Sequence, residues 1–197
     1  MLKVGITGGL GSGKSIASKV VKEMGCYVFD ADAEGKKLLV SNLNVQNELI
    51  AEFGSDILNG DDTINRQKLA RTAFQDEDHQ MRLNTVIHPY IFDEIDKQYE
   101  KLLDEGQHEV FVVDGALIFE SGLDSHLDYT VVITAPFAMR MSRALSRGGL
   151  NRDQIQKRME LQWKDEDKIS LANYVINNTK DEDYLTQQIK EIFGQFI

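Results

Sequence analysis

The stretch GITGGLGSGKS, residues 5–15, contains five glycines among eleven residues and ends in a lysine and a serine. It opens within a β-rich run, LKVGIT, and leads into apolar residues at helical spacing from Ile16 to Met24. Gly8, four further residues and Gly13-Lys14-Ser15 form the phosphate-loop pattern, which needs a strand before it and a helix after it. A glycine-rich turn without a ligand is the alternative, and the matching context favours phosphate binding.

The residue types in this loop suit a bound polyphosphate. Glycines permit positive φ angles and leave backbone N–H groups facing inward, where they and the start of the following helix can bind phosphate oxygens. Lys14 adds a positive charge at the β- and γ-phosphates, and the Ser15 hydroxyl suits Mg²⁺, which takes few protein ligands. The predicted nucleotide contacts in the loop are Gly9, Leu10, Gly11, Ser12, Gly13, Lys14, Ser15 and Ile16.

A dinucleotide-binding fold is a second interpretation of a glycine loop after the first strand. Gly9 and Gly11 loosely imitate its fingerprint, and Asp30 stands where its ribose-binding acid would end the second strand. That fold has no need for Gly-Lys-Ser at the end of the loop. The phosphate-loop interpretation therefore explains more of the stretch.

The composition limits the classes of protein and partner. The chain has 197 residues, 42% of them hydrophobic, which suits one domain or a domain with a helical insertion. Its net charge of −10 disfavours nucleic-acid binding, so an anionic ligand needs a local positive site. The single cysteine, Cys26, cannot form an internal disulfide, and neither a signal peptide nor a membrane span is recognisable. We expect a soluble, cytoplasmic protein without nucleic-acid or membrane partners, and its oligomeric state is left open.

Short apolar runs alternate with amphipathic stretches along the chain. The order predicts an α/β fold, a five-stranded parallel sheet with helices on both faces. Residues 1–30 and 106–197 would form the nucleotide-binding core, and the helical stretch of about residues 31–105 would form a subdomain. The predicted strands are Leu2–Thr7, Tyr27–Asp30, Val110–Asp114, Tyr129–Thr134 and Tyr174–Asn178.

An acidic tripeptide, DAD at Asp30–Asp32, follows the second predicted strand, at the edge where ligands bind in open α/β folds. A kinase that acts on a hydroxyl benefits from a carboxylate within hydrogen-bond reach of that hydroxyl. Asp32 is therefore a candidate base. It is equally a candidate cap of the helix that follows, and the spacing alone does not separate the two roles.

Several spaced motifs together resemble the dephospho-coenzyme A kinase family. Besides the loop and the DAD tripeptide they are INRQKLARTAF (Ile64–Phe74), LNTVIHP (Leu83–Pro89) and RMELQWKDEDKISLANYVINN (Arg158–Asn178). The loop alone marks only a superfamily, whereas the whole set is much more specific. The resemblance implies that ATP, with Mg²⁺, phosphorylates the ribose 3′-hydroxyl of dephospho-coenzyme A, the last step of coenzyme A synthesis. It also implies a P-loop kinase core with a helical acceptor domain and a mobile lid.

The resemblance assigns roles toward the acceptor. Asp32 matches the family's proposed base, and Asp114 ends the third strand, where an acid can hold a water of Mg²⁺. His88 precedes a proline, which favours an extended backbone there, and a structural role for this histidine is an equal alternative. Lys36 stands where the family usually has arginine, and the loss of the bidentate fork puts acceptor affinity in doubt. The predicted acceptor-binding residues are Thr7, Asp32, Lys36, Arg66, His88 and Asp114. Each of three residues has an alternative without a substrate contact. Thr7 could simply end its strand, Arg66 could be a solvated residue at the start of a helix, and Asp114 could cap a turn.

The segment of about residues 140–165, hereafter the lid segment, corresponds to the family's lid. Arginines that close over ATP can stabilise charge on the transferring phosphoryl group, and Arg147 is the strongest candidate. Arg143 is a second predicted ATP contact, and Asn178 matches a position near adenine. A basic helix pair solvated on one face is the alternative. The basic residues of the segment are Arg140, Arg143, Arg147, Arg152, Lys157 and Arg158.

Two further positions depart from the family's pattern. Gly148 follows Arg147 where an acid is usual, which predicts a more flexible lid. Ala116 replaces a proline after the third strand, without an evident chemical consequence.

Two other functions remain open from the residues. A different small-molecule kinase of the same fold would phosphorylate a nucleoside monophosphate or a sugar acid. A nucleotide switch would hydrolyse its nucleotide slowly without an acceptor and would present a surface to a partner. The helical insertion and the basic lid segment disfavour the switch, because a switch needs no enclosed acceptor site.

Overall fold

Five short strands form a single parallel sheet in the computed structural model, which describes all of residues 1–197. The strands are β1 (Leu2–Thr7), β2 (Tyr27–Asp30), β3 (Val110–Asp114), β4 (Tyr129–Thr134) and β5 (Tyr174–Asn177). Their spatial order is β2-β3-β1-β4-β5. The register places Asp114 between Ile6 of β1 and Asp30 of β2. The predicted five-stranded parallel sheet is therefore confirmed, and its carboxyl edge carries both acids.

One face of the sheet packs against two helices, α1 (Lys14–Glu23) and α9 (Glu182–Phe193). Alternate strand residues point to this face, because successive side chains of a strand alternate between faces. The buried residues of this core are Val4, Ile6, Ala17, Val20, Val21, Cys26, Val110, Val112, Val131, Ile133, Ile176, Leu185, Ile189, Phe193 and Phe196. Burial raises the pKa of the Cys26 thiol to about 11, so this cysteine is an unreactive core residue at neutral pH.

The opposite face of the sheet is covered in part by the segment that follows β3. Gly5, which alternates with Val4 and Ile6, lies against the side chains of Ile118 and Leu127. Both faces of β1 are thus buried, as the nearly continuous apolar strands of a parallel sheet require.

The chain divides into two compact units, residues 1–30 with 97–197, and residues 31–96. The second, hereafter the helical unit, contains α2 (Ala31–Ser41), α3 (Leu43–Phe53), α4 (Arg66–Ala73) and the larger part of α5 (Glu77–Glu105). Its interior is apolar. The buried side chains include Leu38, Val45, Leu49, Ile57, Leu69, Ala73, Ile87, Ile91 and Ile95.

Helix α5 runs without interruption through Pro89. The predicted extended backbone at His88 is therefore wrong. Pro89 lacks the N–H that would bond to the carbonyl of Thr85, which normally disfavours a helix interior. Ile87, Ile91 and their neighbours bury one stripe of this helix, and that packing outweighs the local preference.

Two helices occupy most of the lid segment, α6 (Phe137–Ser146) and α7 (Arg152–Glu160). They pack on each other through Met141, Ala144, Ile155 and Met159. The turn between them contains Gly148 and Gly149, both with positive φ. A shorter helix, α8 (Asp165–Leu171), follows before β5. Across the whole chain, no helix combines the length and the apolar composition that crossing a bilayer requires.

Candidate active site

The loop between β1 and α1 lies so close to neighbouring backbone that glycine is required in it. At Gly8, where φ is 153°, a Cβ atom would lie 2.2 Å from the carbonyl oxygen of Ile133 in β4. At Gly11, where φ is 80°, a Cβ atom would lie 2.3 Å from the carbonyl oxygen of Arg140 in α6. Both the backbone angle and the lack of space exclude a side chain at these positions. The predicted use of glycine for positive φ is confirmed.

Helix α1 begins at Lys14, directly after the loop. Its N-cap is Gly13, which offers no side-chain acceptor, and its first turn contains no acidic residue. The N–H groups of the first turn have no acceptor within the helix, except that Ile16 donates to the Gly13 carbonyl. A helix N-terminus of this form favours an anion, and phosphate oxygens suit the N–H groups of Lys14 and Ser15.

An ion pair between Lys14 and Asp114 lies at the carboxyl edge of the sheet. The distance from Lys14 Nζ to Asp114 Oδ1 is 3.0 Å, and the side chains are only 16% and 12% exposed. The second carboxylate oxygen accepts a 2.6 Å hydrogen bond from Ser18 Oγ, one helical turn after Lys14. Ser18 therefore fixes Asp114, which fixes the ammonium group. Sequence reasoning selected Lys14 and Asp114 but missed Ser18, for which the four-residue spacing is the available signal.

Asn178 ties the phosphate loop to the chain that follows β5. Its Nδ2 donates to the Ser12 carbonyl at 2.7 Å, and its Oδ1 accepts from Arg143 Nη2 at 3.3 Å. Asn178 is buried, with 3% of its surface exposed. The side-chain amide of Asn178 thus uses both its nitrogen and its oxygen in hydrogen bonds within the chain. Asn178 therefore positions the loop and Arg143. A contact between Asn178 and adenine stays a prediction.

The lid segment contacts the phosphate loop through both helices α6 and α7. Arg147, at the end of α6, donates from Nη2 to Ser15 Oγ at 3.2 Å. Leu10 of the loop packs on the apolar cluster that joins α6 and α7. The structure thus brings together Ser15 and Arg147, which the sequence had assigned to one site.

Gln162, between α7 and α8, holds the loop directly, and Asp165, the first residue of α8, supports it through Arg140; neither residue was predicted from the sequence to belong to the site. Gln162 Oε1 accepts the backbone N–H of Leu10 at 2.9 Å. Asp165 accepts from Arg140 Nη1 at 2.9 Å and from Thr134 Oγ1 at 2.7 Å. Gln162 belongs to the family motif RMELQ, which gave it no role, whereas Asp165 stands in the polar run QWKDEDK without a signal that separates it from its neighbours.

A second ion pair, deeper than the first, fixes the segment after β3. Lys168 is fully buried and lies 2.7 Å from Glu120 Oε1, and it donates to the Ala116 carbonyl at 3.1 Å. The buried Thr7 hydroxyl donates to the same carbonyl at 3.4 Å. Trp163 N–H donates to Glu120 Oε1 at 3.1 Å. Thr7 therefore helps to pack the end of β1. A contact between Thr7 and the substrate that accepts the phosphoryl group stays a prediction.

The remaining candidate residues for the acceptor lie in the helical unit, and three of them are exposed. Asp32 and Lys36 belong to α2, and Arg66 is the first residue of α4. Helix α2 begins at Ala31, so Asp32 lies inside the first turn and the cap position falls on Asp30. The alternative in which Asp32 serves as the N-cap residue therefore does not fit this helix.

His88 differs from these three because it is half-buried in α5. Its ring stacks on Phe92 of the next turn, with 6.1 Å between centroids and 6° between planes. Burial lowers the pKa of His88 to about 4, so the imidazole is neutral at pH 7. A neutral ring can donate or accept a hydrogen bond but brings no charge to a phosphate.

Comparison with known proteins links this chain to one family. The family model for dephospho-CoA kinase matches residues 2–183. A dephospho-CoA kinase from Salinibacter ruber is 36% identical over 178 residues, which cover 90% of this chain and 89% of the relative. The crystal structure of TT1252 from Thermus thermophilus has a TM-score of 0.81 at 28% identity and covers 100% of this chain and 98% of its own. A dephospho-CoA kinase structure from Campylobacter jejuni, at 24% identity and a TM-score of 0.68, covers 98% of this chain and 96% of its own. These likenesses confirm the predicted P-loop kinase fold over the dinucleotide-binding alternative.

Proposed function

The chain belongs to the dephospho-CoA kinase family, and on this premise we propose that it transfers the γ-phosphoryl group of ATP to the ribose 3′-hydroxyl of dephospho-coenzyme A. The observation that carries the proposal is the phosphate loop, a glycine turn that opens onto an uncapped helix N-terminus beside Lys14. Family membership supplies the acceptor, and the loop supplies the phosphate chemistry.

Lys14 and the first turn of α1 hold the triphosphate in this proposal. The Lys14 ammonium exchanges Asp114 for oxygens of the β- and γ-phosphates, which is a short movement for a flexible side chain. The N–H groups of Leu10, Ser12 and Ile16 already donate to Gln162, Gly9 and Gly13, so the N–H groups of Gly11, Gly13, Lys14 and Ser15 are proposed to bind the remaining charge, as the glycine conformations of the loop permit. Both interactions stabilise negative charge at the group that is transferred.

Mg²⁺ fits the oxygen donors at this position. The Ser15 hydroxyl lies on the first turn of α1, and Asp114 offers carboxylate oxygens at the neighbouring strand end. Hydroxyl, carboxylate and water oxygens are the ligands that Mg²⁺ prefers. Ser15 would hold the ion directly and Asp114 through water, and the bound ion would neutralise charge on the β- and γ-phosphates.

Two arginines of the lid segment are proposed to act on the nucleotide. Arg147 already bonds to Ser15 Oγ, which supports its assignment to the γ-phosphoryl group. Arg143 is held by Asn178 and is proposed to bind ATP, with Asn178 close to the adenine. A guanidinium suits a phosphate group because its planar fork can donate to two oxygens at once.

Asp32 is the proposed base for the acceptor hydroxyl. It follows Asp30, the end of β2, by two residues, and it is exposed to solvent. The 3′-oxygen attacks the γ-phosphorus in line, the bond from phosphorus to the β–γ bridging oxygen breaks, ADP leaves, and the hydroxyl proton passes to Asp32. We further propose that the acceptor is bound by Thr7, Lys36, Arg66, His88 and Asp114.

The proposed reaction and the single thiol favour the same compartment. A chain with one cysteine needs no oxidising environment, and ATP is the donor. We therefore propose a cytoplasmic location.

An acceptor panel combined with Asp32→Asn tests this function. The wild-type chain is assayed with ATP, Mg²⁺ and either dephospho-coenzyme A, adenosine monophosphate, gluconate or shikimate. Only dephospho-coenzyme A should be phosphorylated, and the variant should lose ~10²–10⁴-fold in this transfer because the proton acceptor is gone. ATP affinity should be unchanged in the variant.

Glu34→Gln is the matched control, since Glu34 is the other acid in the first turn of α2. It removes the same negative charge from the same helix end and should retain activity. Preference for another acceptor would overturn the substrate assignment. A fully active Asp32→Asn enzyme, or an equal loss in Glu34→Gln, would remove Asp32 from the chemistry.

A further inference from the structure

Arg140 of α6 lies beneath the first half of the phosphate loop. A Cβ atom on Gly9 would lie only 1.8 Å from Arg140 Nη1, and one on Gly11 would lie 2.3 Å from the Arg140 carbonyl oxygen. One residue thus contacts the loop on both sides of Leu10, with its guanidinium at one glycine and its backbone at the other. Loop and arginine fit only because neither glycine carries a side chain.

The Arg140 side chain is itself held by a carboxylate. Its Nη1 donates to Asp165 Oδ1 at 2.9 Å, and the two side chains are 12% and 20% exposed. The other Asp165 oxygen accepts from Thr134 Oγ1 at 2.7 Å, which links the pair to the end of β4. Asp165 therefore neutralises the guanidinium and fixes its orientation. Because Asp165 is fixed in turn by Thr134, the guanidinium is held against the loop.

The residue between the two glycines is fixed as well. Leu10 donates its N–H to Gln162 Oε1 at 2.9 Å, and its side chain packs on Met141 and its neighbours in α6 and α7. The turn from Gly9 to Gly11 is therefore held in three ways: by the Leu10 N–H, by the Leu10 side chain and by Arg140, which packs against both glycines. Its conformation sets where the following N–H groups point, since the Ser12 N–H closes the turn onto the Gly9 carbonyl at 3.0 Å.

We propose that Arg140, oriented by Asp165, is a positioning residue that preorganises the phosphate loop for ATP without contacting the nucleotide. The inference rests on the proposed function in that ATP is the ligand of the loop. Preorganised backbone donors bind a ligand at a lower entropic cost than mobile ones. The loss of Arg140 should therefore weaken ATP binding while it leaves acceptor binding unchanged.

The test is calorimetry with Mg·ATP on Arg140→Met, Arg140→Lys and Asp165→Asn, together with both Michaelis constants. Arg140→Met should weaken ATP binding ~10-fold or more, because small misplacements at such sites have large effects. The KM for dephospho-coenzyme A should change by less than about twofold. Arg140→Lys keeps the charge pair with Asp165 and should recover part of the affinity.

Asp165→Asn separates positioning from direct attraction by the sign of its effect. If Arg140 positions the loop, Asp165→Asn weakens ATP binding as Arg140→Met does, and the double variant is no weaker than the worse single variant. If Arg140 were a phosphate ligand, removal of the nearby negative charge would strengthen ATP binding instead, and the inference would be overturned. Unchanged ATP affinity in Arg140→Met would overturn it too.

Controls keep a folding defect distinct from a loss of positioning. Lys101→Met and Glu105→Gln break an exposed ion pair of α5 and should leave ATP affinity unchanged. Thr134→Val removes only the hydroxyl donor to Asp165, so it should give a smaller loss of ATP affinity even if Arg140→Met does not fold. If Arg140→Met had a lower melting temperature but normal ATP affinity at the assay temperature, Arg140 would have a purely structural role and the inference would be overturned. An inactive wild-type chain that still binds ATP in this pattern would overturn the proposed function alone.

Discussion

The phosphate loop and the candidate acceptor residues of the helical unit are built in opposite ways. Gly8, Gly11 and Ser12 are buried, and the loop is held by side chains from α6, from the segment before α8 and from the end of β5. Asp32 and Arg66 instead lie in exposed first turns of their helices. The loop conformation is thus fixed by tertiary bonds, whereas Asp32 and Arg66 are exposed to solvent. The difference predicts which substitutions change nucleotide affinity and which change only transfer.

Lys14→Ala should give the largest loss of activity among substitutions in the phosphate loop and the lid segment, and a small loss would contradict this comparison. The ammonium belongs to the first residue of α1, and its ion pair with Asp114 keeps it at the strand edge. Removal of a preorganised electrostatic group of this kind should lower kcat/KM for ATP ~10³-fold. Steady-state kinetics with varied ATP measures the effect, and circular dichroism confirms that the fold persists.

Lys22→Ala provides the control for this experiment, because Lys22 is exposed in the last turn of the same helix. It removes an equal charge at the opposite end of α1 and should leave turnover unchanged. Normal turnover in Lys14→Ala would take the loop out of the mechanism.

The phosphate site was predictable because its signal is local. A spacing of glycines, one lysine and one serine between a strand and a helix specifies the backbone, and the structure has that backbone. The five strands were equally predictable, since buried parallel strands are continuous apolar runs. Both features depend on residues that are neighbours in the sequence.

The supports of the site were not predictable, because they join distant residues by contacts without a pattern. Gln162 and Asp165 look like solvated polar residues, and Lys168 is a fully buried lysine in a charged run. The prediction of an extended backbone at His88 was wrong for a related reason, since the packing of α5 overrides the local effect of Pro89. Only the tertiary structure decides which polar residues of such a run turn inward.

Arg147→Ala should give the next largest loss of activity. The size of this loss measures how far the fixed phosphate loop depends on the lid segment. Arg147 contacts Ser15 Oγ from the lid segment, so it joins that segment to the preformed loop. An arginine that completes its contact during transfer stabilises the transition state selectively, and kcat should fall ~10²-fold with a smaller rise in the KM for ATP. Single-turnover kinetics separates this loss from slow product release.

Arg152→Ala is the matched control for Arg147→Ala. Arg152 is exposed at the start of α7 within the same basic segment, and its removal should change neither constant. An effect of Arg147→Ala on KM alone would mean that Arg147 acts in ground-state binding.

His88 provides the smallest effect, a pH dependence of stability that originates in the helical unit. Burial lowers its pKa from 6.5 to about 4, so between these values the unfolded chain binds more protons than the folded chain. Stability from this group is therefore fully present above pH 6.5 and is lost as the pH falls toward 4. The partial exposure of the ring limits the effect to about 2 kcal/mol.

Denaturant unfolding of the wild type and His88→Phe at several pH values between 4 and 7 measures this effect. Phenylalanine keeps an aromatic ring beside Phe92 but does not titrate, so the stability of the variant relative to the wild type should rise as the pH falls. His126→Gln removes an exposed histidine and should leave the pH dependence of the wild type unchanged. Parallel curves for the wild type and His88→Phe would mean that the pKa of His88 is the same in the folded and the unfolded chain, so that burial does not lower it. A flatter curve for His88→Phe would instead show that half-buried His88 differs in its environment from Asp32, Lys36 and Arg66, which are exposed to solvent.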